Sequence, residues 1–583
     1  MQRSRPGSHP GFALTLLAVV VCAAAWLGFP RTPSILHAQT RQAPLPSPAT
    51  LAANAPLPVS QADAACARCH QSIVDQYLHT PHAIASGRAI DKLIPGALTQ
   101  PASGVTYTVA EENGKAVLTY RDPQDPSLSG SHTLDDYLGS GHLGVTYLYS
   151  VNGYLLESPV AYYTNIARYD MKPGLAGVSE GAPAIPLTPE CLRCHMSGVE
   201  KTDTGSLNHY TGAPFHYGGI ACESCHGDAS AHVRTNGKAP VLNPAKLSPE
   251  RRDSICISCH LEGDISVEKN SRTALDFHPG DAISQDLTYF VYGHAGANAR
   301  GVSEVEQFAA SHCKRASGDR MSCTTCHDPH FVPAPAERIT YYRAKCLSCH
   351  GVGQSGAAFA AAHHPDNPDC ISCHMPRNTA ENIPHVAWTD HRILATPDPP
   401  SATPSATRYD QILPIFSPTA APRDLALAFY TAVMEGHSGD GPQAYSQLTE
   451  AFQNDAGDVQ VLNALATLAN IKGDTAQAGR LFQSVLALDP KNSLAATNLA
   501  VLSARAGQLQ QARTLLEPVF ARNQDVPSIA DNLAAVDCLQ GDGAAARATL
   551  EAALHFSPGS HDLRRRIAQT ATCAAPSAPS AAP

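Results

Sequence analysis

Charge is scarce in this chain. Asp, Glu, Lys and Arg make up only 16% of its 583 residues, the formal net charge is −10, and no strongly basic block appears. That excludes nucleic acid as a main partner, because phosphate recognition rests on clustered Lys and Arg. Methionine is rarer still. Six residues in all could supply a thioether ligand to at most a few metal sites. Glycine and proline, by contrast, number 41 and 46, which predicts long irregular segments between regular elements.

Cysteine is what the chain has. Fourteen of its eighteen cysteines fall in seven copies of one five-residue frame: CARCH (66–70), CLRCH (191–195), CESCH (222–226), CISCH (256–260), CTTCH (323–327), CLSCH (346–350) and CISCH (370–374). Every C-x-x-C pair is followed at once by His. With only 27 histidines in the chain, seven such coincidences are not chance. A structural zinc site uses two C-x-x-C pairs, or one pair and a distant His pair, and does not ask for His at the next position. A redox dithiol needs one motif at a helix start, not seven. Covalent haem requires this spacing: two thiols form thioethers with the porphyrin vinyl groups, and the adjacent imidazole reaches the iron.

The sequence therefore predicts seven covalently attached haem c groups. Their thioethers fall on Cys66 and Cys69, Cys191 and Cys194, Cys222 and Cys225, Cys256 and Cys259, Cys323 and Cys326, Cys346 and Cys349, and Cys370 and Cys373. The proximal ligands are His70, His195, His226, His260, His327, His350 and His374.

The opposite face of each iron decides its chemistry, since Met raises the potential and His keeps it lower. Met196 and Met375 directly follow proximal histidines, Met321 nearly touches Cys323 in sequence, Met434 lies far downstream, and only Met171 is freely placed. Histidine is plentiful: fifteen lie outside the motifs between residues 62 and 393. Bis-histidine ligation is the economical reading. The nominated distal ligands are His82, His142, His232, His330, His385 and His391, with His363 or His364 as the seventh and His294 and His312 in reserve. His330, in CTTCHDPH, is too close to swing over its own haem. It is expected to ligate a neighbouring iron and clamp two haems together. Cys313 stays open between ligand, reactive thiol and packed side chain.

Around this core the chain divides by composition. Arg3 and Arg5 precede an apolar run at 11–29, so residues 1–38 read as a signal peptide cleaved after Ala38 or as an uncleaved membrane anchor. A Pro/Ala-rich linker (39–61) leads to the heptahaem domain (62–393). Between its first and second motifs, Asn113-Gly114 and Asn152-Gly153 each sit inside alternating apolar and polar residues, and predict a small β-hairpin insertion. A Pro/Ser-rich linker (394–422) precedes an Ala/Leu-rich region (423–570), and a tail at 571–583 is expected to be disordered.

The Ala/Leu-rich region repeats with a period of 34. Gly439, Gly473, Gly507 and Gly541 keep that step, as do Ala444, Ala478, Ala512 and Ala546, and Leu448, Phe482, Leu516 and Leu550. Leu465, Leu499 and Leu533 are in phase on the preceding helix. This is the tetratricopeptide pattern, in which helix pairs that cannot bury their apolar faces alone stack into a solenoid. The expected fold is mainly α with extensive irregular loops, a multihaem cytochrome domain followed by an α-solenoid.

The stretches CARCHQSIVDQYLHTPHAIASG, GGIACESCHGDASAHV, RMSCTTCHDPH and CISCHMPR resemble multihaem c-type cytochromes of the family that includes the tetrahaem cytochrome of ammonia oxidation. More distantly they are similar to hydroxylamine oxidoreductase and pentahaem nitrite reductase. The resemblance implies that His82 of the PHA segment and His232 after CHG are distal ligands, and that haem is attached outside the cytoplasm. Two departures stand out. No motif replaces His by Lys as the nitrite reductases do, and no tyrosine is singled out as in the hydroxylamine enzyme. The expectation is an exported electron carrier with redox partner proteins and with repeats that dock a protein or peptide. The alternative is an oxidoreductase acting on a small nitrogen or sulfur compound at one open haem.

Overall fold

The computed structural model describes residues 57–293, 301–351, 367–380, 383, 385–395 and 411–573. The expected leader, His294, His363 and His364 lie outside the described residues.

Between the first and second Cys-x-x-Cys-His frames the chain forms ten strands: β1 (Ser86–Arg88), β2 (Gly96–Thr99), β3 (Thr106–Glu112), β4 (Lys115–Arg121), β5 (Ser129–Thr133), β6 (Asp136–Leu138), β7 (Gly144–Val151), β8 (Tyr154–Glu157), β9 (Val160–Tyr163) and β10 (Arg168–Met171). β2 to β5 form an antiparallel meander, and a second sheet runs β10-β9-β7-β6-β1 with β8 paired to β7. The two Asn-Gly turns stand where the alternation requires them. Asn113 and Gly114 join β3 to β4 with φ of 52° and 76°, and Asn152 and Gly153 join β7 to β8 with φ of 52° and 86°. Both residues of each turn are left-handed, which matches the twist of the flanking strands.

The β region is much larger than the small insertion expected. Its other strands are only three to five residues long, too short for a two-residue period to declare itself. Tyrosines and aliphatics close the core between the sheets, with Tyr107, Tyr147, Leu118, Leu148 and Leu156 all at most 1% exposed.

Nine helices follow from residue 422: α1 (Pro422–Met434), α2 (Gly441–Asn454), α3 (Val459–Ile471), α4 (Thr475–Leu488), α5 (Ser493–Arg505), α6 (Leu509–Arg522), α7 (Pro527–Leu539), α8 (Gly543–Phe556) and α9 (His561–Gln569). The periodic alanines explain how closely they pack: Ala444, Ala478, Ala512 and Ala546 are each 0% exposed, so a larger side chain would push neighbouring helices apart. Gly473, Gly507 and Gly541 adopt positive φ at the turns inside the pairs. Gly439 does not; the left-handed residue there is Gly436. Cys538 on α7 forms a disulfide with Cys573, so the expected tail begins with an ordered turn, Thr570–Thr572.

One edge of the solenoid seats on the N-terminal part. Strand Ile412–Pro414, inside the stretch expected as a linker, pairs with Leu287–Tyr292, which pairs with Ile265–Glu268. The contacts then recur at the chain entering every second helix. Arg423 bonds the carbonyl of Glu268 and the carboxylate of Asp458, ahead of α3. Ser493 donates to the carbonyl of Gly205, Asn208 donates to Asp525 ahead of α7, and Gly559 bridges to Gly181 ahead of α9.

Candidate cofactor centre

A helical turn brings residues three apart onto one face. All seven frames lie on or against helical turns: Ala64–Tyr77, Pro189–Leu192, Glu223–His226, Pro249–His260, Cys323–Cys326, Arg338–His350 and Cys370–His374. Both sulfurs of a frame therefore face one side, and His follows where the turn ends. In the first frame the helix is kinked at His70, with φ −116° and ψ 32°.

Thiols of different frames meet. The Cys194 thiol bonds the Cys259 sulfur, which holds Cys194 up and Cys259 down. The same relation holds between Cys256 and Cys323. Burial and the Asp63 carboxylate raise Cys222, whose thiol also meets that of Cys66. Burial and the neighbouring Cys370 raise Cys346 to about 11. Cys225 feels Cys259, and Cys326 feels Cys349. The frames thus adjoin first to third, third to fourth, second to fourth, fourth to fifth, fifth to sixth and sixth to seventh. Cys313 joins this cluster beside Cys349 and Cys326.

Three nominated histidines face frame histidines across short gaps. His82 lies opposite His260 with ring centres 5.9 Å apart. His330 lies opposite His226 at 6.1 Å, and His391 opposite His327 at 6.2 Å. Two imidazoles on opposite sides of one metal, each nitrogen about 2 Å from it, hold their ring centres roughly 6 Å apart. The three separations fit an iron between each pair.

The chemistry of the donors fits as well. His226 Nδ1 lies 2.9 Å from the carbonyl of Leu242, and His391 Nδ1 lies 2.8 Å from that of Thr389. With Nδ1–H donating there, Nε2 keeps its lone pair for a metal. His82, His260 and His327 are crowded by protein atoms yet keep much of their surface open, as side chains lining a cleft do. That crowding lowers His82 and His327 to about 4, and the facing imidazole adds to it. His82, His260 and His327 are therefore neutral at pH 7, the state in which imidazole binds metal.

The remaining nominations are placed differently. His385 directs Nε2 at the Asp170 carboxylate, 2.8 Å away, with its backbone at φ 61°. That contact occupies the nitrogen a metal would need and ties the stretch after the seventh frame to β10. His232 sets Nδ1 2.7 Å from the carbonyl of Ala239, which leaves Nε2 free. His142 is exposed in the loop before β7. Among frame histidines, His70 and His350 are exposed, whereas burial lowers His195 to about 4. His374 Nδ1 lies 2.6 Å from the carbonyl of Leu394.

Two tyrosines join the paired imidazoles, and sequence reasoning passed them over. Tyr77 lies 6.5 Å from His330 and its hydroxyl donates to the carbonyl of Ile220. Tyr342 meets His327 edge-on at 5.9 Å. Their closeness to frames, in CHQSIVDQY and YYRAKCLSCH, was the available signal.

Parts of the chain match known proteins. Residues 171–227 match the family described as cytochrome c554 and c-prime, and residues 469–536 match the tetratricopeptide repeat. The C-type polyheme cytochrome OmcB of Geobacter sulfurreducens is 26% identical over 259 residues, 39% of this chain and 32% of the relative. The multiheme cytochrome MtrA of Shewanella baltica is 24% identical over 177 residues, 27% of this chain and 51% of the relative. The chain thus spans about a third to a half of these curated relatives.

Among solved structures, MamA from AMB-1 is 23% identical, covering 26% of this chain and 88% of its own, with a TM-score of 0.24. TTC0263, a tetratricopeptide protein of Thermus thermophilus, is 20% identical, covering 26% and 82%, with a TM-score of 0.23. The class is that of the c-type cytochromes. In particular, it is a multihaem cytochrome fused to tetratricopeptide repeats. No helix among the described residues is long and apolar enough to cross a membrane.

Proposed function

We propose that the chain is an exported electron carrier holding seven haem c groups, one on each Cys-x-x-Cys-His frame. The observation that carries this reading is the set of three facing pairs, His82 with His260, His330 with His226 and His391 with His327. Each pair would hold one iron in six-coordinate, bis-histidine form. Each of these three haems would supply a one-electron acceptor with no position left open to substrate. The protein would bind it by two sulfurs and, at His226 and His391, orient one imidazole of the pair through a backbone carbonyl.

The order of frames in space gives the carrier a path. First, third, fourth, fifth, sixth and seventh adjoin in a row, and the second branches at the fourth. His330, just after the fifth frame, lies opposite His226 of the third, which supports its nomination as a clamp. His232, with Nε2 free, and His142 remain candidates for the irons of the first, second, sixth or seventh frame, and His363 remains a nomination. His385, held by Asp170, is the weakest of the set. The Cys538–Cys573 disulfide favours an oxidising compartment and supports export. We read the solenoid faces away from the seated edge as the docking surface for a protein or peptide partner.

The test is spectroscopy on haem-loaded full-length protein. Near-infrared and low-temperature spin-resonance signals of bis-histidine, low-spin iron at three or more sites support the reading. High-spin signals at the irons of His226, His260 and His327 oppose it.

A further inference from the structure

The electron-carrier reading leaves open where a partner meets the row of cofactors. The row reaches the surface at the first frame, where Cys69 and His70 are exposed, and at the sixth and seventh, where Cys349, His350 and Cys373 are exposed. In the middle of the row Cys225 and Cys259 are half-buried.

The surroundings of the sixth frame differ in charge from the molecule as a whole. The chain carries 51 acidic against 41 basic side chains. Residues 312–350 reverse that balance: Lys314, Arg315, Arg320, Arg338, Arg343 and Lys345 face only Asp319, Asp328 and Glu337. Arg315, Arg320 and Arg338 are exposed. The structure brings the two halves of this stretch together. Cys313, beside Arg315 in sequence, adjoins Cys349, and Lys345 adjoins Cys326. Val332 at 47% and Ile339 at 40% exposure add two large apolar side chains to the same stretch. Cations around a few exposed apolar groups make the form of a transient redox interface, in which charge steers encounter and a small apolar centre allows quick release.

We propose that this surface docks a small redox protein with an acidic contact face, and that electrons enter or leave through the sixth frame. The proposal rests on the electron-carrier reading. Encounter is fast at low salt and slows as counter-ions screen the patch.

The test is stopped-flow reduction of the oxidised, haem-loaded full chain by flavodoxin hydroquinone, an acidic one-electron donor, with a photogenerated neutral deazaflavin radical as the reference reductant. The flavodoxin rate is expected to fall by about tenfold between about 20 mM and about 500 mM salt. The double variant Arg315→Glu, Arg338→Glu should lose a similar factor at low salt, while Arg480→Glu on α4 changes nothing and the deazaflavin rate stays constant. A flavodoxin rate indifferent to salt or to the double variant overturns the proposal. So does an equal effect of Arg480→Glu, which would mark a response to net charge alone. A shift of haem spectrum or midpoint potential in the double variant, with an unchanged flavodoxin rate, would assign these cations to the haem carboxylates instead. Failure of deazaflavin to reduce the haems would contradict the electron-carrier reading itself.

Discussion

His330 and His226 lie with ring planes 21° apart and centres 6.1 Å apart. One belongs to the segment just after the fifth frame, the other closes the third. Replacing His330 by Ala should leave haem content unchanged, because both sulfurs of the third frame remain. One iron should pass from low to high spin and bind carbon monoxide on reduction, which visible and spin-resonance spectra would show. A variant with wild-type spectra would mean that His330 is not a ligand.

Ala478 is fully buried where α4 meets its neighbours. Enlarging it to Leu should cost about 1–3 kcal/mol through overpacking, read as a lower midpoint for loss of helical signal in denaturant. Unchanged stability would show that the solenoid is looser than its alanines imply.

Arg423 lies between two carboxylates that are almost wholly buried, Asp424 and Asp458, and its side chain is 19% exposed. Arg423→Ala removes the cation from Asp458, leaving it the backbone N–H groups of Gln460 and Val461, at the seam between the solenoid and the N-terminal part. A loss of about 3–5 kcal/mol is expected, as for a broken buried pair, together with faster proteolysis near residue 412. A loss below about 1 kcal/mol would place this pair with exposed ones.

Asp136 on β6 is buried, and burial together with neighbouring Asp135 pushes it up to about 8. A carboxyl whose folded value exceeds its unfolded one binds its proton more tightly when folded. Its contribution is therefore complete below the unfolded value of 3.8 and is lost as pH rises towards about 8. Asp136→Asn should remove that decline, so that the variant gains on wild type between those limits in chemical denaturation. Parallel stability curves would contradict the assignment.

Features set by local spacing were legible in the sequence. The frames, the Asn-Gly turns and the 34-residue step of Ala444, Ala478, Ala512 and Ala546 each depend on residues a turn or a helix apart. His82, His330 and His391 could be nominated from residue type and segment, but their partners could not. His82 meets His260, and His391 meets His327, because distant segments converge, and such convergence leaves no periodic mark. His385 shows the cost of nomination by residue type alone, since a carboxylate on β10 captures its Nε2. The short strands around Asp136–Leu138 and the Cys538–Cys573 link were hidden for the same reason.

The central claim is that each of the seven frames carries one covalent haem. Pyridine haemochrome titration against protein concentration, with intact mass of the same haem-loaded chain, tests it most directly. The account predicts seven haems per chain and a mass raised by seven porphyrins. A mass equal to bare polypeptide, with zinc in place of iron on metal analysis, would contradict it.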